Sequence, residues 1–104
     1  MLMHNPPHPG ETLKEFYLEP YGLSARQLAK ALGVSHSAIS RLVSGQAAVT
    51  PDMAIRLEKG VGLTAGTWLG MQQDRDLWEA LQQDRHEDIQ PIDFEQLAAS
   101  ASGS

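Results

Sequence analysis

Two short helical patterns joined by three residues set the strongest constraint on how this chain can fold. Ser24-Ala25-Arg26-Gln27 has the form of a capping box, in which the serine and the glutamine satisfy each other's orphan backbone N–H groups. Leu23 and Leu28 are placed for a hydrophobic staple across it. Leu28, Ala29 and Leu32 then form one apolar stripe, and Gly33 closes the helix. The device repeats at once: Ser35 caps, Val34 and Ile39 staple, Ile39, Leu42 and Val43 face inward, and Gly45 stops the second helix. A link as short as Gly33-Val34-Ser35 forces the two helices to cross steeply, and Ala29 is small enough to let them approach.

The flanking sequence reads as three more helices. His8-Pro9-Gly10-Glu11 starts the first, with His8 at the cap, Pro9 at the first helical position and Glu11 reaching back. Leu13, Phe16 and Tyr17 share its inner face at i, i+3, i+4 spacing, and Pro20 and Gly22 end it. Thr50-Pro51-Asp52 opens the fourth, its acid favourable near the positive helix end. Thr64 caps the fifth, which carries Trp68, Leu69, Met71, Leu77, Trp78 and Leu81, with Leu63 and Trp68 placed as a staple. No window alternates strongly enough to demand a strand, although Pro91 biases Gln90 away from helix and allows a short extended piece over Pro91-Ile92-Asp93-Phe94. The expected fold is all-α: a five-helix helix-turn-helix domain with a long C-terminal helix. Residues 8–84 form that domain, 1–7 an N-terminal arm and 85–104 a partly mobile tail.

Charge is distributed unevenly. The 104 residues carry a formal −5, yet residues 20–51 hold Arg26, Lys30 and Arg41 and no acid. The rest holds five basic and thirteen acidic side chains. Such asymmetry points to a nucleic-acid or acidic surface met by one face. In a helix-turn-helix the second helix lies in the DNA major groove. His36, Ser40 and Ser44 are spaced by four on the outer face of that helix, with Ser37 and Arg41 beside them. Arg41 can fork onto guanine O6 and N7, and Ser37, Ser40 and His36 can hydrogen-bond base edges. The phosphate-holding candidates around the helix are Ser24 with the amides after it, Arg26, Ser35, Ser44 and Gln46. The alternative for Arg41, His36 and Arg26 is an ordinary solvated helix surface, and Lys30 reads as such.

Assembled in this way, the chain resembles the HigA-type antitoxins, also described as VapI-like, a group of helix-turn-helix proteins of the xenobiotic-response-element type. The resemblance runs from about His8 to Leu81. It rests on His8-Pro9-Gly10-Glu11, Leu32-Gly33-Val34, Ile39-Ser40-Arg41-Leu42, Ser44-Gly45, Val49-Thr50-Pro51-Asp52-Met53-Ala54, Trp68-Leu69, Met71-Gln72 and Asp76-Leu77-Trp78. It implies a lambda-repressor-like fold, a cytoplasmic homodimer that represses its own operon, and a partner toxin of the HigB type, a small basic mRNA endoribonuclease. The positions that read bases in phage repressors, which share the motif, match Ser35, His36, Ser37, Ser40 and Arg41. The phosphate-clamping start of the second helix matches Ser24 and Ala25, and Ala25 lacks a side-chain donor.

One recognition helix reads only a few base pairs, so two half-sites one turn apart favour a dimer. Met71, Leu77, Trp78 and Leu81 on the long helix are the interface candidates, against the alternative of an internal core. Residues 74–88, rich in carboxylates, suit a basic partner protein; the N-terminal arm and first helix are the other surface for it. Other function classes find little support. There is no cysteine for a nucleophile or thiolate metal site, no HExxH spacing among the histidines and no phosphate-binding glycine loop. No cofactor or metal is expected, a His4–His8 clip being opposed by Pro6 and Pro7. No apolar run reaches the length of a membrane span, and the N-terminus lacks a signal-peptide pattern. The remaining alternatives are a solitary helix-turn-helix regulator without a toxin, and a protein-interaction module.

Overall fold

Side-chain caps define where the helices start. The computed structural model describes residues 5–102; residues 1–4 of the expected arm, His4 included, and residues 103–104 lie outside them. The helices are α1 (Pro9–Leu13), α2 (Ala25–Leu32), α3 (His36–Val43), α4 (Pro51–Gly60), α5 (Ala65–Gln82) and α6 (Phe94–Ser102). No strand occurs among the described residues, and no helix there is long and apolar enough to cross a membrane. His8 caps α1, its Nδ1 accepting from the Gly10 amide at 2.9 Å. Ser24 and Gln27 form both bonds of the capping box, at 3.1 and 2.8 Å. Ser35, Thr50 and Thr64 cap α3, α4 and α5 through bonds of 3.1, 3.2 and 3.1 Å. Gly33 ends α2 at φ 71°, a left-handed conformation that glycine adopts without steric cost.

Two expectations are corrected. The first helix does not continue regularly past Leu13. Lys14–Leu18 is a π-helical turn in which the Glu19 amide reaches back five residues to the Lys14 carbonyl. Widening the turn puts Leu13 and Leu18 on one buried face and turns Phe16, expected inside, out to 64 % exposure. A 3₁₀ turn, Glu19–Tyr21, follows, where Pro20 has no N–H to donate to a further helical bond. The second correction is a sixth helix. Residues 89–93 are non-helical, as Pro91 dictates, but Asp93 then starts α6, its Oδ1 accepting from the Gln96 amide at 3.0 Å.

The core gathers Leu13, Ile39, Leu42, Leu57 and Trp68, all essentially inaccessible to solvent. Trp68 is held by a bond from its indole nitrogen to the Gly62 carbonyl at 2.9 Å and by a tilted contact with Tyr17 at 6.1 Å. Leu63, expected to staple it, stays exposed. α1 meets α3 through Gly10, where an added Cβ would overlap the Leu42 carbonyl and press on the Val43 Cα. α1 therefore fixes how far the end of α3 stands from the core.

Gly10→Ala tests this contact by its sign. Alanine in place of helical glycine ordinarily stabilises by about 1 kcal/mol; here the overlap with backbone is expected to destabilise by about 1–3 kcal/mol, read as a lower urea midpoint at unchanged slope.

Candidate nucleic-acid interface

α3 is amphipathic in a way its eight residues predict. Ile39 and Leu42 are buried, and His36, Ser37 and Arg41 are exposed on the other side with Ser40 at the boundary. Every candidate base-reading side chain thus lies off the core, on one continuous surface. Two local bonds order it: Ser35 Oγ to Ser37 Oγ at 3.2 Å, and Ser40 Oγ to His36 Nε2 at 3.3 Å. These are weak enough to be exchanged for a base edge, since neither is buried. Arg41 extends from the last turn and is exposed.

The frame residues fall around this helix. Ser24 is exposed at the start of α2, and its hydroxyl accepts from Gln27, which leaves its proton free to point at a phosphate. Arg26 lies in the first turn of α2, exposed, and Gln46 follows α3, exposed. Ser44 behaves differently, because its hydroxyl donates to the Arg41 carbonyl at 3.1 Å and so closes α3. A phosphate contact there must displace that bond. The first acid after the segment, Asp52, is paired with Arg56, whose Nε lies 2.8 Å from its carboxylate.

Two residues that sequence reading passed over hold the surface in place. Arg56 of α4 donates to the Leu32 carbonyl at 2.7 Å and the Gly33 carbonyl at 3.4 Å, tying the turn between α2 and α3 to the body. Gln72 of α5 is buried, accepts from the Val49 amide at 2.8 Å and donates to Asp76 at 2.8 Å. It anchors the loop that follows α3. The Asp52–Arg56 spacing of four was a readable signal; nothing in the sequence pairs Gln72 with a backbone amide 23 residues away.

The long helix presents the interface candidates unevenly. Leu77 and Leu81 are 50 % and 54 % exposed. Trp78 is half-buried with the Arg75 guanidinium 5.3 Å above its ring, and Met71 packs partly against the core. Arg75 also bonds Glu79, Asn5 and the Pro6 carbonyl, which lays the start of the described chain along α5.

With the geometry in hand, comparison with known proteins is informative. A family model described as Helix-turn-helix matches residues 13–68. Virulence-associated protein I of Dichelobacter nodosus is 53% identical over 70 residues, 67% of this chain and 65% of that protein, so the match spans just under two thirds of the relative's length. Among solved structures, antitoxin GraA superposes with a TM-score of 0.81 at 35% identity, covering 86% of this chain and all of that one. The Pseudomonas aeruginosa antitoxin HigA with higBA promoter gives 0.74 at 34% identity, covering 84% of this chain and 98% of that one.

Gln72→Met keeps the volume and removes the acceptor for the Val49 amide. It is expected to cost about 1–3 kcal/mol of stability, the penalty of a buried unsatisfied N–H, measured by urea unfolding.

Proposed function

The chain belongs to the helix-turn-helix family, and on that footing we propose that it is a sequence-specific DNA-binding repressor, the antitoxin of a type II toxin–antitoxin pair. The observation that carries this reading is the outer face of α3, polar, with one arginine and free of acids, set within a 32-residue segment that contains no carboxylate side chain at all. The likeness to antitoxin GraA and to the antitoxin HigA with its promoter supports it.

In this reading α3 enters the major groove. Ser35, His36, Ser37 and Ser40 meet base edges, and Arg41 grips a guanine through two parallel bonds. Ser24, Arg26, Ser44 and Gln46 hold the flanking phosphates and fix register without reading sequence. A homodimer sets two such helices one turn of DNA apart, with Leu77, Leu81, Trp78 and Met71 at its interface. In the cytoplasm the protein neutralises a basic, HigB-type endoribonuclease and represses the operon encoding both. It is not itself an enzyme. A solitary regulator would use the same DNA face, and a short basic reading frame beside the gene separates the two.

The test is fluorescence anisotropy of the purified protein with the DNA just upstream of its gene, at two salt concentrations, beside a shuffled duplex. Binding is expected to prefer the native duplex and to fall with salt at a log–log slope of about −0.9 per phosphate contact. Arg41→Ala is expected to weaken it by roughly five- to a hundredfold, the value of one bidentate base contact. Equal, weak binding to both duplexes would overturn the DNA reading.

A further inference from the structure

The segment after α5 has a composition that repression does not explain. Every residue from Leu81 to Ser100 is exposed, so the body leaves the described side chains of α6 open to solvent. The molecule is 68 Å long but only 24 and 22 Å across, because this segment is carried off the body. Ile89, Ile92, Phe94 and Leu97 are each 60–70 % exposed. Four large apolar side chains within nine residues are a costly thing to leave in water, each forgoing roughly 1.5–3 kcal/mol of burial. They are interleaved with carboxylates: residues 84–95 hold Asp84, Glu87, Asp88, Asp93 and Glu95 against Arg85 alone.

The body carries a surface of matching character. Between the end of α2 and α4 lies an open groove of about 400 Å³, lined by Ala31, Leu32, Ile55, Arg56, Lys59 and the carboxyl-bearing Asp52. Its lining is mixed: Ile55, half exposed, is its main exposed apolar side chain and stands among the polar groups of Asp52, Arg56 and Lys59. Asp52 is already paired with Arg56, and Arg56 is also engaged by the Leu32 carbonyl, so the rim is basic on balance and Lys59 is its exposed cation. Outside residues 20–51 the body is otherwise mostly acidic, which leaves this groove and the basic α2–α3 face as the surfaces an acidic arm can meet.

We propose that this groove receives the C-terminal arm of a second copy of the chain, Phe94 and Ile92 entering over Ile55 while Glu95 meets Lys59. The arm is long enough: ten residues separate the end of α5 from Asp93, a span of up to about 33 Å when extended, which exceeds the width of a second body. Two chains exchange arms reciprocally, so each dimer contains two identical arm–groove contacts. The inference deepens the homodimer named above, adding a contact made by α6, and it stands independently of DNA reading.

Charge reversal at the two exposed positions tests it with purified protein alone. In sedimentation velocity over a concentration series, Lys59→Glu and Glu95→Lys are each expected to weaken self-association about tenfold, since each homodimer then holds two like-charge contacts. Mixed in equal amounts they are expected to return to wild-type affinity, because the mixed dimer has opposite charges at both contacts. Phe94→Ser is expected to weaken association without rescue by either partner. Circular dichroism confirms that all variants keep their helix content. A monomeric wild type overturns the proposal, as do single variants that associate like wild type. A mixture no tighter than its components also overturns it, and points instead to an arm docking on its own body. If the single variants associate as wild type while DNA binding and dimerisation persist, the α5 dimer stands and only the arm contact is lost.

Discussion

The candidate DNA-facing surface depends on burying one side of an eight-residue helix. A helix as short as α3 is not stable alone in water, because the cost of nucleation is spread over too few bonds. Ile39 and Leu42 supply what propensity lacks: both are essentially inaccessible to solvent and together contribute roughly 3–6 kcal/mol. Gly10 lets α1 touch the backbone at the end of α3 directly, Arg56 ties down the turn before it and Gln72 ties down the loop after it. A surface held at three points is preorganised, so little ordering cost falls on the moment of binding.

Electrostatics divides the same small body into two regions of opposite character. The segment that frames α3 excludes carboxylates, and the first one after it, Asp52, is paired with Arg56. Beyond it the acids accumulate, most densely after α5. The net negative charge therefore says little about nucleic acid, since exposed charges more than about 8–10 Å apart are screened at physiological salt. What a phosphate backbone would meet is the local face.

Arg56 shows how one side chain serves several purposes. It closes the turn between α2 and α3, cancels the charge of Asp52 and forms part of the basic rim between α2 and α4. Arg75 plays a comparable part on α5, covering Trp78 while holding Asn5 and Pro6. Both use the several donors of a guanidinium, which a lysine could not reproduce.

The helices that begin with Ser24, Ser35, Thr50 and Thr64 were legible in the sequence, because a cap is a contact between residues two or three apart and its chemistry is written locally. So were the buried stripe of α3, its polar outer face and the acid-free frame, all of which follow from helical periodicity and charge. Two features were decided only in the tertiary structure. The π turn at Lys14–Leu18 exchanges Phe16 for Leu18 on the inner face, a choice made by the fit of Leu13 and Leu18 to the core rather than by i, i+4 spacing. The anchors from Arg56 and Gln72 join residues more than 20 positions apart, to backbone groups that every sequence possesses. α6, where a tail was expected, is by contrast a local matter, started by the Asp93 cap, and its side chains up to Ser100 are exposed. Local chemistry fixes which helices exist and which way they face; only packing fixes what holds them there, because it turns on distances that no spacing in the sequence encodes.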